Sequence, residues 1–145
     1  MSIKKNKNKI SAIIITKDRP HYLKKSIESI KKQSSKVTEI IVVDNGKKKN
    51  KYNFTNFRFI KTGHAIGAAK ARNIGAKNSK CQFLAFLDDD DVWGSDYIKN
   101  SKKFLSPNVI LLGKIYSLDR KKIIKKKSKK FNNKNSALNN LYIRN

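Results

Sequence analysis

The sequence predicts an α/β domain with a mainly parallel central sheet, on two observations. Short β-branched apolar runs alternate with segments whose apolar residues recur at helical spacing, the order that builds a parallel sheet covered by helices. Polar and acidic residues also gather directly after the apolar runs, at the strand ends where open α/β sheets place their ligands.

Residues 10–16 form the first run, β-branched and short enough for a buried strand. Pro20 suits a first helical turn, and Leu23, Ile27 and Ile30 at i, i+4 and i+7 give the following helix one apolar face, ending near Gln33-Ser34-Ser35. Residues 39–43 are a second strand, closed by the turn signal Asp44-Asn45-Gly46. A polar loop over 47–56 leads to a third strand at 57–61, an alanine-rich helix at 65–78 and a fourth strand at 82–87. A helix over 95–105, with Ile98 and Leu105 seven residues apart, and a fifth strand over 109–116 complete the pattern.

After Tyr116 the composition changes: residues 114–145 hold eleven Lys/Arg against the single acid Asp119. Residues 121–127 read either as a lysine-bordered edge strand or as a disordered tail, and Leu138, Leu141 and Tyr142 suggest a short helix. The expected organisation is a basic extension over 1–9, a core over 10–116, and a lysine-rich segment over 117–145 that opens a larger design, so that the α/β fold is incomplete at its C-terminus.

A hydrophobic content of 38% suffices for a core in one domain of 145 residues. No apolar run approaches the roughly 20 residues of a membrane-spanning helix, and nothing after the basic start resembles a signal peptide. The expected location is the cytoplasm. The single cysteine, Cys81, excludes an internal disulfide and any multi-cysteine metal site. The net charge of +25 has three readings: a lysine-rich compositional bias, attraction to an anionic membrane at the inner face, or nucleic-acid binding. The last is disfavoured, because the aromatic residues do not interleave with the basic ones as a stacking platform requires.

Asp88, Asp89, Asp90 and Asp91 are consecutive and follow an apolar strand. Carboxylates this close repel by roughly 1 kcal/mol per pair even in water, so something must compensate them. Strand alternation would turn Asp88 and Asp90 the same way with Asp89 opposite, and two converging carboxylates suit a hard divalent cation such as Mn²⁺ or Mg²⁺. The competing reading is an acidic turn that caps the next helix through Asp91 or Ser95, with scattered lysines as counter-charges. The residues after strand one, Thr16, Lys17, Asp18 and Arg19, can share one cleft with Asp44 and the aspartates. Gly67 lies among small residues at a helix start, where free N–H groups favour phosphate, and Lys70 and Arg72 add positive charge beside it. His64 and Trp93 read as capping and packing residues.

Taken together, four segments resemble the family 2 glycosyltransferases with the GT-A fold. They are Ser11-Ala12-Ile13-Ile14-Ile15-Thr16 with Arg19-Pro20 and Leu23; Glu39-Ile40-Ile41-Val42-Val43-Asp44-Asn45-Gly46; Ala71-Arg72-Asn73-Ile74-Gly75; and Phe86-Leu87-Asp88-Asp89-Asp90-Asp91-Val92-Trp93. The resemblance spans about residues 10–105. It implies an α/β/α sandwich and the transfer of a sugar from a nucleotide-diphosphate sugar to a glycan, lipid or protein acceptor, usually with inversion. It implies that Asp88 and Asp90 hold a metal, with Asp90 the more direct ligand. Donor contacts would come from Thr16, Asp18, Arg19, Asp44, Gly67, Arg72, Asn73, Asp88 and Asp89. The family's catalytic base normally lies well downstream of the Asp-x-Asp triplet, and after Asp119 this chain has no Asp or Glu. Asn45 stands where the family most often has a second aspartate. A donor-binding fragment without turnover and a basic nucleic-acid or membrane-binding module are the alternative readings.

Overall fold

The computed structural model describes residues 6–47, 52, 55–107, 109–111, 115–119, 122–126 and 130–131. Four parallel strands, β1 (Asn6–Thr16), β2 (Glu39–Asp44), β3 (Arg58–Lys61) and β4 (Cys81–Asp88), form a sheet in the order β3-β2-β1-β4. Their alternation decides which helix covers which face. Ala12, Ile14, Ile40 and Val42 point to the side of α1 (Pro20–Lys31) and bury Leu23, Ile27 and Ile30. Their neighbours Ile13, Ile15, Ile41 and Val43 point to the opposite side and pack on Ala71 of α2 (Ala68–Asn78). Both faces are therefore apolar, which is why β1 and β2 read as continuous runs instead of alternating patterns.

Helix α2 lies unusually close to the sheet at Gly75, where an added Cβ would come within 2.5 Å of Ile13 Cγ2. It also starts three residues later than the sequence predicts. Gly67 has φ +87°, outside the helical region, and the Ile66 N–H is held at 2.7 Å by Asn45 Oδ1. Helix α3 (Tyr97–Lys102) is likewise shorter than 95–105, and Asp96 takes its N-cap position without a side-chain capping bond, so neither Asp91 nor Ser95 caps it. The expected fifth strand divides: β5 (Ile110–Leu111) pairs with β8 (Lys130–Phe131), while β6 (Ile115–Asp119) pairs antiparallel with β7 (Lys122–Lys126). The lysine-bordered segment is thus a strand over 122–126. The expected helix at Leu138, Leu141 and Tyr142 lies outside the described residues.

At the N-terminal end of the sheet a polar cluster fixes register. Ser11 donates to Glu39 Oε1 at 2.6 Å, the Lys80 N–H donates to the same oxygen at 2.7 Å, and the Ser11 and Ser79 hydroxyls lie 2.5 Å apart. Desolvation pushes the Glu39 carboxyl upward, but the bonds from Ser11, the Lys80 N–H and its other neighbours outweigh it and leave its pKa below the ordinary carboxylate value. A depressed acid stabilises the fold above its unfolded pKa, and that contribution disappears as pH falls through the folded value. Glu39→Gln should therefore cost about 1 kcal/mol at neutral pH. In urea unfolding at a series of pH values the gap from wild type should close in acid; a gap that stays constant would deny the carboxylate this role.

Candidate functional site

The parallel register brings three strand ends level: Thr16 pairs with Asp44 and Ile15 with Asp88. Above them lies a cleft of about 420 Å³, walled by the chain after β1, the loop entering α2, Arg72 and the acid run. Seven of the ten residues predicted for the site reach it: Thr16, Arg19, Gly67, Arg72, Asp88, Asp89 and Asp90.

The aspartates are arranged by a turn, not by continued strand alternation. β4 stops at Asp88, and the Asp91 N–H bonds back to the Asp88 carbonyl at 3.1 Å. Asp88 and Asp90 keep half-exposed side chains in the cleft, whereas the Asp89 carboxylate is buried. Two arginines supply the compensation this crowding requires. Arg72 Nη2 meets Asp88 Oδ1 at 2.5 Å. Arg19 spans two aspartates, with Nη2 2.5 Å from Asp89 Oδ1 and Nη1 3.1 Å from Asp90 Oδ2. Thr16 Oγ1 completes the Asp89 site by donating to Oδ2 at 2.7 Å. Desolvation, reinforced by Asp90, holds the Asp89 carboxyl above its ordinary pKa against the opposing pull of Thr16 and Arg19. Asp91 is raised too, by desolvation first and then by Asp90 and Asp88. The mild desolvation of Arg19 is outweighed by Asp89 and Asp90, which raise its pKa.

Three predicted residues fall outside the cleft wall. Asp44 continues the alternation that sends Ile40 and Val42 toward α1. It is fully buried, bound by Lys61 Nζ at 2.7 Å, the Tyr52 hydroxyl at 3.2 Å and the Gly46 N–H at 2.8 Å. Its neighbour Asn45 lines the cleft in its place. Asp18 turns toward the loop after β2, where its carboxylate accepts from the Lys47 N–H at 3.3 Å. Asn73 follows Arg72 on α2, with a buried Oδ1 that has no hydrogen-bond partner among the described residues. His64 offers only its carbonyl, to the Thr62 hydroxyl at 2.6 Å. Trp93 stacks on Tyr97 at 4.7 Å and packs against the α1-side core.

Sequence reasoning missed a set of polar residues on α1 and just past its C-terminal end. Ser26 and Gln33 are buried, and with Ser29 they bond to the chain that carries the acid run. Their spacing, three and four residues apart beside the apolar stripe, was a signal that a count of apolar positions alone passes over.

The model of the family described as glycosyl transferase family 2 matches residues 11–144. The chain belongs to this family. Among curated relatives, an uncharacterized glycosyltransferase of Rickettsia conorii is 35% identical over 109 residues, covering 71% of this chain and 18% of its own length. The Escherichia coli UDP-Glc:alpha-D-GlcNAc-diphosphoundecaprenol beta-1,3-glucosyltransferase WfgD is 31% identical over 90 residues, 58% of this chain and 36% of that enzyme. The chain thus spans about a fifth to a third of the length of these relatives. Among solved structures, Staphylococcus aureus TarS aligns with a TM-score of 0.58 at 24% identity, over 71% of this chain and 20% of that one. Residues 1–349 of TarS, solved in complex with UDP-GlcNAc, align with a TM-score of 0.56 at 26% identity, over 66% of this chain and 30% of that one. The parallel α/β sheet of this family 2 chain is the GT-A fold.

The donor set of the cleft is compatible with the divalent metal that the family resemblance implies. Among the described residues no three His, Cys, Asp or Glu side chains are grouped as a complete cage. Two half-exposed carboxylates in one cleft nevertheless match a hard cation that takes its remaining oxygens from phosphates and water. Among the described residues no helix is long and apolar enough to cross a membrane.

Proposed function

We propose that the cleft holds a nucleotide-diphosphate sugar and that the chain is the donor-binding part of an inverting, metal-dependent glycosyltransferase. The observation that carries this reading is the convergence of Asp88 and Asp90, both half-exposed, with Arg72 and the Gly67 turn at the C-terminal edge of a parallel sheet. The UDP-GlcNAc complex of TarS and the UDP-glucose donor named for the E. coli relative support the donor class.

In this reading Asp88 and Asp90 hold the cation, Mn²⁺ or Mg²⁺. The bound cation neutralises charge developing on the departing nucleotide diphosphate. Arg72 exchanges part of its contact with Asp88 for the diphosphate, and the backbone at Gly67 approaches the same group without a side chain in the way. Asn45 presents its amide to the base and ribose end, supported by Asp44 behind it. Arg19 and Thr16 keep Asp89 in place beneath the two metal-binding aspartates. No residue of this chain is assigned as the base that deprotonates the acceptor. A lipid-linked acceptor, as in the name of the E. coli relative, would set a chain of net charge +25 against an anionic membrane.

Calorimetry with UDP, GDP and their sugar conjugates, with and without Mn²⁺, tests this directly. Binding should require the metal and should fall at least about tenfold in Asp90→Asn, the loss typical of a missing metal ligand or its support. A cooperatively folded wild type that binds none of them, or binds equally after Asp90→Asn, would remove the donor-site reading.

A further inference from the structure

We infer that Ser26 and Ser29 of α1, with Gln33 just past its C-terminal end, are the positioning element of the acid turn, and that the Ser26 hydroxyl aims Asp90 into the cleft; this rests on the donor-site reading above. A helix that only packs on a sheet fills its buried positions with apolar side chains, because an unbonded polar group there is costly. Yet Ser26, between the apolar positions Leu23 and Ile27, is 0% exposed, and Gln33, two residues past the helix end, is 1% exposed.

What each group bonds to explains its presence. The Ser26 hydroxyl lies 2.7 Å from the Asp89 carbonyl and 2.8 Å from the Asp91 carbonyl. One hydroxyl carries a single proton, so the two carbonyls share it and both are drawn toward α1. With the carbonyls on either side of Asp90 turned inward, the Asp90 side chain is left facing the cleft, where it is half-exposed. Ser29 accepts the Trp93 N–H at 3.1 Å and donates to the Ser26 carbonyl at 2.7 Å. Gln33 uses both ends of its amide: Nε2 donates to the Gly94 carbonyl at 2.7 Å and Oε1 accepts the Ile98 N–H at 3.0 Å. Two side chains on α1 and one just past its end thus fix successive points of a segment that has only one short helix of its own. Their hydrogen bonds fall on backbone groups, so what they hold is the path of the turn.

The test compares Ser26→Ala with Ser11→Ala. Ser11 is an equally buried, hydrogen-bonded serine at the opposite end of the sheet, far from the cleft. Both variants lose a buried hydroxyl, so a merely structural role predicts similar melting points and unchanged affinity in whatever fraction is folded. UDP affinity is measured by calorimetry with and without Mn²⁺, at a temperature where melting curves show each protein folded. Ser26→Ala should lose about tenfold of the Mn²⁺-dependent affinity while Ser11→Ala stays within about twofold of wild type, as for groups that orient metal ligands. Should Ser26→Ala fail to fold, Ser29→Ala is read in its place and should show a smaller loss, about threefold, in the same increment. Wild-type affinity in the folded Ser26 or Ser29 variant, or an equal loss in Ser11→Ala, overturns the inference. Absence of binding by the wild type itself would instead remove the donor site.

Discussion

Gly75→Ala should destabilise this protein although alanine is the better helix former. The added Cβ would stand 2.5 Å from Ile13 Cγ2 and 3.4 Å from Val43 Cγ2, both on strands the core cannot easily shift. Overpacking of this kind costs about 1–3 kcal/mol, partly offset by the helical preference of roughly 1 kcal/mol that alanine brings. Ile13→Ala removes the obstructing methyl and should by itself cost about 3–4 kcal/mol, as expected for a fully buried isoleucine. The double variant should lose clearly less than the two singles added together, since the new methyl occupies part of the vacated space. Urea unfolding of the four proteins measures this, and strict additivity would show that α2 does not rest on β1 through this contact.

Asp44→Ala should cost about 3 kcal/mol, a loss of stability and not only of binding. Its carboxylate is fully buried, and removing it takes a partner from the Gly46 N–H, the Tyr52 hydroxyl and the partly buried Lys61 ammonium. Lys61→Met in the Asp44→Ala background should recover part of that loss by withdrawing the charge that had faced the carboxylate. If Asp44 served only a bound nucleotide, the single variant would melt as wild type does, and the second substitution would change nothing.

These two positions also show where the sequence was legible. The apolar runs gave β1, β2 and β4, because strands buried on both faces need little else, and helical spacing gave α1. The placement of Thr16, Arg19, Gly67, Arg72 and Asp88 around one cleft follows from strand order and the rule that ligands gather at carboxyl ends. The role of Asp44 does not, since its partner Lys61 comes from β3, and that pairing exists only once the register of β2 on β3 is set. Arg19 was read as a donor contact but is engaged with Asp89 and Asp90, a link across 70 residues that no local pattern encodes. The fifth strand was misplaced because residues 109–116 are strand-like apart from Gly113 and Lys114, and β5 and β6 lie on either side of that pair, each meeting a different later strand.

The order β3-β2-β1-β4 leaves β4, among the described residues, hydrogen-bonded on one side only. Its sequence, Cys-Gln-Phe-Leu-Ala-Phe-Leu-Asp, is the sort of apolar segment to which a strand of another copy could add. The four aspartates at its end act against this. Two such strands stacked in parallel register would bring eight carboxylates together, a local repulsion that Arg19 and Arg72 of each copy answer only in part. The residues that equip the cleft therefore also oppose this one pairing locally, in a chain whose net charge of +25 already keeps copies apart.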